Sequence, residues 1–133
     1  MKRIIVVCIM LSLLMTSVAM AGSSNEVRPL YSYINTISAS LSIVSGSAQG
    51  KGSCEPRNSI QAAVTVYLEK KVDGTWKPIA TWYGSKSADL SSAGGSKQVD
   101  KGYTYRVRTV GKAYNSSGAI VETVTKYSGE KSY

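Results

Sequence analysis

The chain has 133 residues, 16 lysines and arginines against 8 acids, a net charge of +8, and neither histidine nor phenylalanine. That length holds one domain and not two, and the missing histidine removes the commonest general base and metal ligand. There is also no Cys/His cluster, no phosphate-cradling glycine motif and no Gly-x-Ser-x-Gly elbow, so an enzyme is not expected.

Lys2 and Arg3 precede an apolar run from Ile4 to Met15, and small residues including Ala19 and Ala21 follow. A basic start, a short apolar core and an A-x-A site predict a secretory signal peptide over 1–21, cleaved after Ala21. The run is too short for a spanning helix. Cleavage would leave 133 − 21 = 112 residues and a charge of 14 − 8 = +6, with Cys54 the only cysteine. An exported domain without an intramolecular disulfide suits a Gram-positive-type secreted protein, and Cys54 reads as a small, half-buried apolar residue.

Residues 22–35 read as a flexible lead-in, and the domain proper as 36–133. From Ile37 to Ile43 apolar residues alternate with Ser38, Ser40 and Ser42, as in a strand with one wet face. Residues 45–59 contain three glycines, and any strand there is expected to be bulged or at an edge. Ser59 to Lys71 alternates cleanly and predicts a strand. Asp73-Gly74 predicts a tight turn, and Trp76 to Tyr83 a returning strand that Pro78 confines to an edge. Residues 84–96, rich in serine and glycine, read as a long loop with a short strand near Leu90.

The stretch from Asp100 to Ser128 is the platform of the domain. Two runs of alternating Tyr, Val and Thr flank Asn115-Ser-Ser-Gly118, the pattern of a long β-hairpin. Asp100-Lys-Gly-Tyr-Thr-Tyr-Arg-Val107 has the form of the corner that opens the sixth strand of immunoglobulin-like sandwiches, with the Tyr105 hydroxyl bonding back to upstream backbone. Val107 stands where antibody domains place a cysteine, so packing alone must hold the sheets together. The expected fold is all-β: a small immunoglobulin- or fibronectin-III-like antiparallel β-sandwich behind the signal peptide.

Several motifs in this order resemble an uncharacterised family of small secreted proteins from Gram-positive bacteria, largely Clostridia and relatives. They are Ile-Ser-x-x-Leu-Ser-Ile (Ile37 to Ile43), Val-x-Leu-x-Lys-Lys (Val66 to Lys71), Asp73-Gly74-x-Trp76 with Trp82, Gly102-Tyr-x-Tyr-Arg-Val, and Gly118-x-x-x-Glu122 ending at Tyr127-Ser128. The resemblance implies export and a compact β fold, and carries no activity.

Two binding surfaces are candidates. Arg106, Arg108 and Lys112 share a parity on one strand, with Lys126 placed beside them on the next, forming a basic stripe for an anionic cell-envelope polymer. The bland alternative is a solvated outer face. Trp76, Trp82 and Tyr83 could stack on sugar rings or anchor a protein partner, against the alternative that they fill a core lacking phenylalanine. A paired-carboxylate hydrolase would have to use Glu69 and Glu122. No cofactor, metal or nucleic-acid partner is expected. The function expected is a non-catalytic extracellular or cell-envelope binding module, secreted and at most loosely wall-associated. The alternative is a cationic, bacteriocin-like antagonist, for which the chain offers no amphipathic helix.

Overall fold

A computed structural model describes residues 30–58 and 60–133; the signal peptide and its cleavage site at Ala19 and Ala21 lie outside them. Eight strands form two antiparallel sheets: β1 (Ile34–Val44), β2 (Ser47–Pro56), β3 (Gln61–Val72), β4 (Thr75–Tyr83), β5 (Ser91–Gln98), β6 (Thr104–Tyr114), β7 (Ile120–Tyr127) and β8 (Lys131–Ser132). The smaller sheet runs β1-β2-β5; the larger runs β4-β3-β6-β7, with β8 continuing the β7 edge beside β6. Two antiparallel sheets packed face to face make a small β-sandwich, the class of fold expected from the spacing of strands.

Side-chain alternation builds the core. Ala62, Val64, Val66 and Leu68 of β3 and Tyr105, Val107, Thr109 and Ala113 of β6 point inward and are buried. Opposite them lie Leu41, Ala48 and Cys54 of the smaller sheet. Cys54 is free and fully buried, deeper than the half-buried position expected. The Tyr105 hydroxyl donates to the Asp100 carbonyl at 2.7 Å, the contact that the corner motif predicts. The ring is fully buried, so the bond satisfies a hydroxyl that would otherwise be stranded. Both sheets and this core lie within residues 30–133, so a chain starting at Gly22 carries what the fold needs.

Three expectations need correction. The region after Ser45 is neither bulged nor at an edge: β2 is the central strand of its sheet. Ser45 (φ 49°) and Gly46 (φ 78°) form a two-residue turn of the same class as Asp73 (φ 50°) and Gly74 (φ 76°), with both φ values positive. The serine- and glycine-rich stretch read as a long loop with a short strand near Leu90 contains a full strand, β5, paired along its whole length with β2 from Ser47↔Gln98 to Cys54↔Ser91. The inward-facing glycines of this sheet are there for space. A Cβ on Gly52 would run into Thr109 and Val66, and one on Gly95 into the Trp82 indole, so the smaller sheet sits close against large residues of its neighbour. Finally, β1 begins at Ile34, inside the expected lead-in, because the Glu122 carboxylate accepts the backbone N–H groups of Ser32 (2.8 Å), Tyr33 (2.9 Å) and Ile34 (2.9 Å). Three such bonds to a carboxylate tie the chain down where β7 passes it.

Candidate binding surfaces

The outer face of the larger sheet carries the expected basic stripe, and the structure changes its meaning. Arg106, Arg108 and Lys112 do project outward from β6. Register places Glu69 of β3 opposite Arg106, and that carboxylate is only 4% exposed. It accepts a hydrogen bond from Arg106 Nε at 3.1 Å, and its other oxygen lies 3.3 Å from Arg108 Nε. The guanidinium faces are covered as well. Arg106 lies between the rings of Trp76 (4.2 Å) and Tyr127 (4.3 Å), and Arg108 lies over Tyr67 (4.0 Å). Carboxylate at the edge and rings on the faces are the arrangement that holds a guanidinium in place. The two arginines therefore stabilise the sheet surface and are not presented as a free anion site. Lys126 does not join them: its register partner is the inward-facing Thr109, so it has the opposite parity. Lys112 remains on the outer face beyond Val110.

The aromatic candidates are dispersed. Trp82 faces inward over the smaller sheet, where a Cβ on Gly50 would lie 2.9 Å from its ring, and it packs against the core. Trp76 lies on the outer face beneath Arg106. Only Tyr83 stands free, 78% exposed at the end of β4.

A different surface emerges on the smaller sheet. Ser38, Ser40 and Ser42 of β1, Gln49, Lys51 and Ser53 of β2, and Ser92 and Ser96 of β5 share its outer face through register pairs such as Ser38↔Ser53 and Ser53↔Ser92. These residues and glycine backbone line a broad depression of about 1250 Å³ that reaches Thr81, Trp82 and Tyr83. Its hydroxyls interact across strands, with Ser38 and Ser53 2.6 Å apart. Alternating serines in β1 signalled one wet face, but the contributions of β2 and β5 were invisible until those segments were known to be strands.

Several of the acids have structural partners. Glu55 accepts from Asn35 and Thr36, both at 3.2 Å, and Asp100 pairs with Lys70 at 3.3 Å. Glu69 points outward from the larger sheet, while Glu122, opposite Ala113, has inward parity. The two cannot flank one scissile bond, so the paired-carboxylate arrangement fails on geometry. Burial first, and then the nearby Glu122 charge, pushes the Cys54 thiol up to about 11, which makes it a poor nucleophile. Burial likewise raises the Tyr105 phenol, and the Lys70 charge and the bond to Asp100 oppose it. Among the described residues no group of acids and cysteines is placed to hold a metal ion, and no helix is long and apolar enough to cross a membrane.

No family model and no curated protein matches the chain.

Proposed function

We propose that this protein is a non-catalytic binding module that works outside the cell, at the envelope, and that it takes a hydroxyl-rich wall polymer on the outer face of the smaller sheet. The observation that carries this reading is the 1250 Å³ depression lined by serine hydroxyls, glycine backbone and Lys51, with the exposed Tyr83 at its margin. Hydroxyls and an open aromatic face suit a polymer of sugar rings, which offers many weak hydrogen-bond partners and flat apolar faces. Lys51 adds a single cation for an acidic substituent. The engagement of Arg106 and Arg108 by Glu69 argues against the basic stripe as the main contact.

The test is binding of the chain from Gly22 onward to isolated cell wall, from low to high salt. Binding that declines only gently with salt and is lost in Tyr83→Ala and Lys51→Glu is expected. A steep salt dependence that survives both substitutions would return attention to the remaining lysines. No binding to any wall preparation would overturn the reading and point to soluble partners.

A further inference from the structure

Four strands end the two sheets: β1 and β5 in the smaller, β4 and β7 in the larger. An edge strand presents a row of unpaired N–H and C=O groups, and proteins usually blunt it with charge, proline, bulges or poor strand formers. Three of these edges are blunted. β4 carries Pro78 and Lys77 and a register shift opposite Leu68 and Glu69. β7 carries Glu122 and Lys126 and a shift opposite Ala113 and Tyr114. β5 contains Gly94, Gly95 and Lys97. β1 has none of these from Thr36 to Val44, where it runs in unbroken register with β2. Its single irregularity lies earlier, between Ile34 and Thr36.

The order of residues along that edge indicates what fits it. Ile37-Ser-Ala-Ser-Leu-Ser-Ile43 reads nearly the same in both directions about Ser40. Antiparallel pairing with a second copy, around a two-fold axis at Ser40, sets Ile37 against Ile43 and Ser38 against Ser42. It also sets Ala39 against Leu41, and Ser40 against itself. Every pair joins residues of one face: hydroxyl meets hydroxyl outside and apolar meets apolar inside. Ser38 and Ser53 already make the same kind of hydroxyl pair within the chain, at 2.6 Å. A slip by one residue would set serine against isoleucine, which penalises every odd shift of register. The strand carries no charge that would select a foreign partner or repel its own copy.

We propose that two copies of this chain pair through β1 into a continuous six-stranded sheet, in the order β5-β2-β1-β1-β2-β5. The arrangement is isologous and closed. It uses both β1 edges and leaves the glycine-containing β5 strands at the outer ends. Two hydroxyl-lined faces then lie side by side, although the pairing does not depend on what they bind.

Sedimentation equilibrium of the chain from Gly22 onward is expected to show a reversible dimer. Ser40 is exposed, so Ser40→Lys leaves the fold intact by circular dichroism while setting two like charges directly across the axis. It is expected to weaken the dimer by about fivefold. Mixing Ser40→Lys with Ser40→Glu chains should restore pairing as a heterodimer. Register is read by oxidation: Ser40→Cys should cross-link to itself and Ser38→Cys should not, whereas Ser38→Cys mixed with Ser42→Cys should. A chain that stays monomeric at every concentration would overturn the proposal. So would cross-linking that ignores position, open-ended growth beyond two copies, or an equal effect from Ser96→Lys on β5.

Discussion

The two sheets of this sandwich are built on different principles. The larger sheet is made of β-branched and aromatic residues: its inner face is a packed apolar layer, and its outer face is locked by Glu69, two arginines and three rings. In the smaller sheet, β2 and β5 are made largely of serine, glycine and alanine. These strands contribute few large side chains, and their glycines let the backbone approach Trp82, Val66 and Thr109. One sheet supplies volume and the other supplies proximity. A sandwich without an inter-sheet disulfide can hold together in this way because close approach replaces side-chain bulk on one side. It also leaves the smaller sheet with an outer face that has little structural work to do, and that is where the depression lies.

Substitutions can break this division of labour. The largest effect is expected at Glu69. Glu69→Ala leaves two guanidiniums, a fifth to a quarter exposed, without their carboxylate, and a loss of about 3 kcal/mol should appear in the urea midpoint. A loss below about 0.5 kcal/mol would mean that the cluster acts as an ordinary surface pair. Next is Gly52→Ala, which forces the sheets apart at Thr109 and should cost about 2 kcal/mol. Thr109 Oγ1 is a buried hydroxyl without a partner among the described residues, so Thr109→Ala should recover part of that loss, the contact with Val66 remaining. A double-mutant cycle measures the coupling, and strict additivity would contradict close packing at this point.

Tyr105→Phe should cost less, about 1.5 kcal/mol, by removing the donor to the Asp100 carbonyl. Thermal unfolding would read it. The last effect is nil at neutral pH and appears only in alkaline solution. Burial raises Cys54 from 9.0 to about 11, so the unfolded chain releases its thiol proton first. Stability should be unaffected by this group at neutral pH and should fall as pH rises from about 9 to about 11. Tyr105 is shifted in the same direction. Cys54→Ala should flatten the alkaline decline, and a melting series across that range would detect it. An unchanged slope would place the decline elsewhere.

The same division decided what could be read before the structure. β3 and the β6–β7 hairpin announce themselves, because their inner positions are Val, Leu and Tyr and their turn is Asn115-Ser-Ser-Gly118. The Asn115 side chain indeed organises that turn, accepting from the Ser117 and Ala119 N–H groups. β2 and β5 were obscure because their inner positions are Ala, Gly, Cys and Ser, which give no apolar alternation. The parity of Arg106, Arg108 and Lys112 was legible along one strand. Their neutralisation was not, since Glu69 lies 37 positions earlier in the chain than Arg106. Glu122 was invisible as a tether for the same reason: its three donors are 88 to 90 positions away.

By itself, then, the sequence determined the class of fold, the tyrosine corner, the edge position of β4 and the Asp73-Gly74 turn. Each of these depends on local period or on the special backbone of one or two residues. Only the tertiary structure decided which charges are satisfied, that Trp82 is a packing residue and Tyr83 an exposed one, and that a run of serines and glycines is a sheet. Those outcomes depend on what stands opposite a residue across a strand pair or between the sheets, and local pattern does not encode that partner.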